Sequence, residues 1–231
     1  MHSHIRLKPV LAYLFQLLTG KEKINVLDVG CGSGVIAFEL LKQGKKIKYL
    51  GIDNSQENII SAKKILKHYN NDDLKFNCGD AVNENFQKAN EKLDMVLLID
   101  VLEHIINPQK MLQKIVENMK DGGLFIVSVP TPLYPIVFGR AFHIKVGHKI
   151  DGYTLEGITQ IFEEINCELV YSKYNTGFIS NIGCFMYYRI FPEKRVIEFF
   201  KIFFLYVFKF LDFFNGEKIS SSLFVVFKVI R

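Results

Sequence analysis

Several familiar functional signatures are missing from this chain, and each absence narrows the reading. No Gly-Lys-Ser/Thr follows its glycine-rich turn, which excludes a P-loop. Cys31, Cys78, Cys167 and Cys184 lie far apart with no C-x-x-C pair, so reduced, mostly buried thiols of a cytosolic protein are expected. The opening Met1-His2-Ser3-His4-Ile5-Arg6 lacks the charged-then-apolar pattern of a secretory leader, and a cytoplasmic location is expected. No apolar run is long enough to span a bilayer, because Lys201 and Lys209 interrupt the one that comes nearest. The formal charge is +5, yet the lysines are scattered over connections and helix surfaces, with no basic stripe carrying interleaved aromatics. Nucleic acid is therefore disfavoured as a partner.

What is present is 231 residues, 49% of them apolar, enough for one domain with a substantial core. Its centre is Val26-Leu27-Asp28-Val29-Gly30-Cys31-Gly32-Ser33-Gly34. An apolar run with an acid near its end, then three glycines on alternate positions, reads as a buried strand turning sharply into a helix. The next apolar run, Tyr49-Leu50-Gly51-Ile52-Asp53, ends in a carboxylate, the group that nucleotide-binding α/β proteins use on ribose hydroxyls. A nucleoside across the carboxyl edge of a parallel sheet follows. The dinucleotide fingerprint G-x-G-x-x-G does not fit, because the third glycine comes one residue early and Val35 stands where Gly or Ala belongs. An NAD-dependent oxidoreductase is thus the weaker alternative.

Strand and helix signals alternate along the chain. Helix is expected over 7–19 with Pro9 in its first turn, over 34–43, over 54–68 behind an Asn54/Glu57 capping box, and from Pro108 to 119. Strands are expected near 24–29, 47–52, 74–77, 93–98, 124–129, 167–174 and 222–230, with Gly122-Gly123 as a stop before the fifth. Tyr153-Thr154 opens a further helix. This alternation implies a doubly wound, mostly parallel sheet. The stretch 131–152 reads as an irregular excursion beyond the fifth strand, where substrate sites are built, with His143 and His148 as either pocket-lining or solvated groups.

The glycine turn, Asp53, Gly79-Asp80-Ala81, the fourth-strand segment running through Ile99-Asp100 into Leu102-Glu103-His104, and the turn Asp121-Gly122-Gly123 resemble class I S-adenosylmethionine (SAM) dependent methyltransferases. The likeness covers about residues 24–130 well and 143–170 loosely, by position in the sequence. It implies a Rossmann-like fold with seven strands in the order 3-2-1-4-5-7-6, the last antiparallel. It also implies an N-terminal helix over 1–20, a SAM-binding core over 21–130 and a substrate loop over 131–152. By the same resemblance Gly30, Gly32 and Gly34 pass under the methionine part, and Asp28 orients that loop and the ammonium. Asp53 and Asn54 meet the ribose, Asp80 and Ala81 the adenine, and Ile99 and Asp100 lie beside the methionine moiety.

The acceptor is less legible. His104 is the candidate general base, since it follows the fourth strand at the mouth of the site and titrates near neutrality; a histidine bonded to backbone at a helix start is the plainer alternative. Asp100, Glu103 and His104 resemble the Glu-x-x-Glu-His of the ubiquinone-pathway O-methyltransferases, a trio associated with a divalent ion, but Asp in place of the first Glu shortens the reach, and no metal is assigned. Segment 178–215 is rich in aromatics; from 196 to 214 its only charges, Glu198, Lys201, Lys209 and Asp212, share an arc of about 80° of a helix. A buried cap, a homodimer contact and a peripheral membrane element remain open for it. The reading is a SAM-dependent methyltransferase acting on O, N or C of a small-molecule or lipid-like acceptor, with RNA or protein methylation as the alternative.

Overall fold

Successive side chains of a strand point to opposite faces of a sheet, so a strand apolar at every position needs cover on both sides. The computed structural model, which describes residues 2–83, 91–175 and 220–231, meets that need. Strands β1 (Ile24–Val29), β2 (Ile47–Asp53), β3 (Leu74–Cys78), β4 (Leu93–Ile99), β5 (Met119–Pro130), β6 (Cys167–Tyr174) and β7 (Ser222–Val229) form one seven-stranded sheet. Their order is β3-β2-β1-β4-β5-β7-β6, with β7 antiparallel to both neighbours and the other pairs parallel. Topology and strand order are those implied by the resemblance.

Alternate residues sort cleanly between the two faces. Val26, Tyr49, Met95, Leu97, Ile126, Phe224 and Val226 join the core that includes α1 (His2–Leu17), α2 (Val35–Lys42) and α3 (Gln56–Leu66). Leu27, Val96, Leu98, Phe125, Val127, Val225 and Phe227 join the core under α4 (Gln109–Glu117) and α7 (Leu155–Glu163). On α4 the buried residues are Met111, Leu112, Ile115 and Val116, one helical face. On α7 the Phe162 ring stacks on Phe227 at 4.1 Å, with Phe125 edge-on to Phe162 at 5.2 Å.

Four local expectations are corrected. Helix α1 starts well before Leu7, so Pro9 lies inside it rather than in its first turn. The N-cap of α3 is Ser55, whose hydroxyl accepts from the Asn58 amide at 3.3 Å, and not Asn54. Gly122-Gly123 does not precede β5 but lies within it. The strand begins at Met119 opposite Leu93, and the register shifts between Leu93 and Met95, so the glycines carry a bulge instead of a stop. The excursion 131–152 is partly helical, with α5 (Tyr134–Phe138) and α6 (Arg140–Lys145). Segment 178–215, with the three readings of 196–214, lies outside the described residues.

The excursion leaves and re-enters the domain side by side. The Thr131 amide donates to the Ser221 carbonyl at 3.1 Å, and the Tyr153 amide to the Pro130 carbonyl at 2.8 Å. Gly152, at φ 143°, allows that approach: a Cβ there would meet the Thr131 backbone at 2.3 Å.

Truncating the stacked ring, Phe162→Ala, is expected to cost about 3–5 kcal/mol, read as a lowered urea midpoint at unchanged slope; a loss below about 1 kcal/mol would show that the layer above β7 collapses to fill the gap.

Candidate active site

The site is built where the strand order reverses between β1 and β4, the place at which open α/β sheets bind ligands. Three constraints fix the turn after β1. The amides of Gly30 and Cys31 both donate to the Ile52 carbonyl, at 2.7 and 3.1 Å, tying the turn to the end of β2. Gly30 has φ 72°, and a Cβ on it would lie 2.5 Å from Val101 Cγ2, so a side chain is excluded by both conformation and space. Gly34, also left-handed, is the N-cap of α2.

Asp53 does the lacing from the other side. It is 8% exposed; one carboxylate oxygen accepts from the Gly32 amide at 2.8 Å, and the other from the Ser55 amide at 2.9 Å and the Asn58 side-chain amide at 3.2 Å. An ionised carboxylate has about four lone-pair positions, so acceptor capacity remains on the cavity side. Asp80 closes its own loop, accepting from the Val82 amide at 3.0 Å and the Asn83 side chain at 2.8 Å.

A cavity of about 990 Å³ opens at this edge. Of the candidate site residues, Gly30, Asp53, Asn54, Asp80, Ala81, Asp100 and His104 line it. Asp28, Gly32, Gly34 and Ile99 stand outside its lining. The lining near His104 also includes Ile105, Ile106, Val146 and Lys149, none of which the sequence singled out; Ile106 and Val146 are conspicuous only as apolar residues left exposed.

Asp28 is instead buried within the sheet, where the Tyr49 hydroxyl donates to it in a short hydrogen bond. Burial, partly offset by that bond and reinforced by the nearby negative Asp53, pushes its carboxyl up to about 7. Tyr49 itself is pushed well above its ordinary value by burial and by Asp28.

Asp100 sits at φ 57°, a left-handed backbone that residues other than glycine rarely adopt. Its amide donates to the Ser128 carbonyl at 2.8 Å, and the Ser128 hydroxyl donates to its carboxylate at 3.3 Å. The chain then turns through Leu102–His104 as a short 3-10 segment. His104 Nδ1 lies 3.0 Å from the Gly147 carbonyl. A carbonyl only accepts, so Nδ1 carries the proton and Nε2 of the neutral ring keeps its lone pair. The same segment holds the excursion: the Glu103 carbonyl accepts from Lys149 and Ile150 at 2.8 and 3.2 Å, and the Leu102 carbonyl from the Tyr153 hydroxyl at 3.0 Å.

His143 and His148 are neither pocket-lining nor solvated. Their side chains are 3% and 6% exposed; His143 Nε2 is 3.2 Å from Asp151, and His148 Nε2 is 3.9 Å from Glu103. The trio associated with a divalent ion is rearranged: Glu103 and His104 are joined by His148, their donor atoms all within 4.8 Å of one another, while Asp100 is not in the group. Two imidazoles and a carboxylate suit a first-row divalent ion, so Glu103, His104 and His148 are the residues that would hold one.

A family model described as a methyltransferase domain matches residues 20–149. The chain belongs to that family. S-adenosylmethionine is its cofactor, and the NAD-dependent alternative falls away. The ubiquinone biosynthesis O-methyltransferase of Rickettsia akari (strain Hartford) is 33% identical over 129 residues, 53% of this chain and 49% of that relative. The chain thus matches about half the length of such relatives. The plantazolicin methyltransferase BamL, solved with a triazolic desmethylPZN analog and SAH, superposes with a TM-score of 0.64 at 19% identity, covering 99% of this chain and 86% of its own. The Haemonchus contortus phosphoethanolamine N-methyltransferase 2, solved with S-adenosyl-L-methionine, gives 0.68 at 17% identity, covering 97% and 53%. These two likenesses show the fold.

The raised Asp28 carboxyl has a consequence for stability. The folded chain keeps a proton on it up to about pH 7, whereas the unfolded chain releases that proton near the ordinary carboxyl value of 3.8. The contribution is therefore fully present below about pH 4 and is lost as pH rises through about 7. Thermal melts of the cofactor-free protein should show Asp28→Asn gaining on wild type as pH is raised across that window; a difference in Tm that is flat with pH would refute the assignment.

Proposed function

We propose that this chain methylates a hydroxyl oxygen of a small, partly apolar acceptor, a phenol with a lipid-like substituent being the best fit. The observation that carries the reading is His104, on the cavity wall with Nδ1 committed to the Gly147 carbonyl and Nε2 left as a lone pair. The aliphatic side chains of Ile105, Ile106 and Val146 beside it favour an apolar body. The Rickettsia akari relative, by its name an O-methyltransferase of ubiquinone biosynthesis, supports oxygen as the acceptor atom.

In this reading Asp53 receives the ribose hydroxyls in charge-assisted hydrogen bonds, and Asp80 with Ala81 meets the adenine. Gly30 brings backbone close to the methionine part. The sulfonium is an activated leaving group, so most of the acceleration comes from holding oxygen and methyl about 3 Å apart with water excluded. The acceptor O–H gives its proton to His104 Nε2 as the oxygen attacks. The O–CH₃ bond forms, the S–CH₃ bond breaks, and its electron pair stays on sulfur to give S-adenosylhomocysteine (SAH). Glu103, His104 and His148 are the residues that would hold a divalent ion, and such an ion would supply Lewis-acid polarisation. With Nδ1 already bonded, His104 has a single nitrogen to offer, so the roles of base and ligand exclude each other. The absence of Asp100 from the donor group favours the base. No helix among the described residues is long and apolar enough to cross a membrane.

Calorimetry with SAH and with NAD tests the cofactor half. SAH should bind, NAD should not, and Asp53→Ala should weaken SAH by about 10–150-fold, since two charge-assisted bonds of roughly 1.5–3 kcal/mol are partly replaced by water. An unchanged affinity would remove Asp53 from the site. With catechol and alkylphenol acceptors, His104→Ala should lower kcat by about 10²–10⁴-fold with SAH affinity intact, and a chelator should leave wild-type turnover unchanged. Loss of turnover on chelation would transfer His104 to the ligand role.

A further inference from the structure

Fixed charges divide unevenly around the cavity. Among the described residues that line it, Asp53, Asp80 and Asp100 are carboxylates, and Lys149 is the one lysine or arginine. Each of the three carboxylates has partners: the glycine turn and α3 for Asp53, its own loop for Asp80, and Ser128 for Asp100. Lys149 is exposed and makes no ion pair among the described residues. The two acids beside it are engaged. Glu103 is fully buried with His148 Nε2 3.9 Å away, and Asp151 holds Arg140 at 2.7 Å and His143 at 3.2 Å. Stretches 104–116 and 131–150, which flank this end of the cavity, contain no further Asp or Glu. The protein itself thus leaves the Lys149 ammonium without a counter-charge.

The backbone puts that ammonium next to the chemistry. The Lys149 amide donates to the Glu103 carbonyl at 2.8 Å, and two residues earlier the Gly147 carbonyl holds His104 Nδ1 at 3.0 Å. One corner of the excursion therefore fixes both the candidate base and the lysine. From such a corner a compact charge on a flexible four-carbon stem can follow a group held beside the base. We propose that Lys149 selects acceptors that carry an anionic substituent, a carboxylate or a phosphate, on the ring bearing the methylated hydroxyl. Without the lysine, Asp53, Asp80 and Asp100 would repel such an acceptor; with it, the substituent gains a charge-assisted hydrogen bond. The substituent keeps its charge while the methyl moves, so ground state and transition state gain alike. Lys149 then acts on KM more than on kcat.

The inference rests on the proposed O-methylation, and the experiment separates the two. Four catechols that differ in one ring substituent are compared: protocatechuate, its carboxamide, the matching benzylphosphonate and the matching benzylamine. Each is titrated by calorimetry into SAH-loaded protein and assayed for methyl transfer from SAM. Wild type should prefer the carboxylate or the phosphonate to the carboxamide by about 3–10-fold in affinity and in kcat/KM, the size of an exposed ion pair strengthened by partial desolvation. The larger of the two ratios identifies the anion. Lys149→Met should bring the preference near parity through KM, Lys149→Arg should keep it, and Lys149→Glu should turn it toward the benzylamine. Each ratio is taken within one variant, so a loss of folded protein cancels. Parity of the four in wild type, no binding of either anion to SAH-loaded protein, or an equal loss on charged and neutral acceptors in Lys149→Met overturns the proposal. Anions bound through Lys149 but never methylated would sink the O-methylation reading and leave this one standing. Equal turnover of carboxamide and both anions would do the reverse.

Discussion

The edge of the sheet is held in working shape by one carboxylate. Asp53 accepts from the Gly32 amide on one oxygen and from Ser55 and Asn58 on the other, so the turn after β1 and the start of α3 are fixed to each other through it. Two amides of the same turn, Gly30 and Cys31, converge on the Ile52 carbonyl one residue earlier. Amide donors at such a turn would otherwise meet bulk water or cost desolvation free energy unmatched. Because the Asp53 carboxylate and the Ile52 carbonyl satisfy them, the turn is formed before any ligand arrives, and the ordering cost of binding is reduced.

That arrangement explains why so much was legible in the sequence. A strand buried on both faces must be apolar throughout, a turn that lets backbone crowd Val101 must be glycine at position 30, and a carboxylate must end β2. Those needs leave residue-type signatures. What was not legible depends on distance between segments. Nothing near Gly122-Gly123 tells a bulge from a stop, because the difference lies in the register with Leu93 and Met95. Asn54 and Ser55 are both good caps, and the choice between them follows from Asp53 binding the Ser55 amide. His143 and His148 read as loop histidines until the excursion folds back and buries them against Asp151 and Glu103.

The excursion over 131–152 is more a built wall than a free loop. Its ends are paired at Thr131 and Tyr153, the amides of Lys149 and Ile150 latch it to the Glu103 carbonyl, and the Tyr153 hydroxyl ties its exit to the Leu102 carbonyl. The chain after β4 takes a single 3-10 turn, in which the Leu102 carbonyl also accepts from the Ile105 amide. The cavity wall at Val146, Gly147 and Lys149 and the candidate base His104 are thus positioned by the same few residues. His104 owes its tautomer to Gly147, a residue of the wall it faces.

Asp100 links the two halves of the site. A left-handed aspartate costs on the order of 1–3 kcal/mol and persists only where its surroundings over-determine it. Here the surroundings are Ser128 of β5, which binds both its amide and its carboxylate. The strained turn redirects the chain so that Val101 closes on Gly30 from one side while His104 reaches the cavity from the other. The left-handed turn at Asp100, with the Ser128 bonds that hold it, thus stands between the Gly30 turn and the candidate base His104. For that reason the Asp-x-x-Glu-His spacing carries structural information even where no ion is bound.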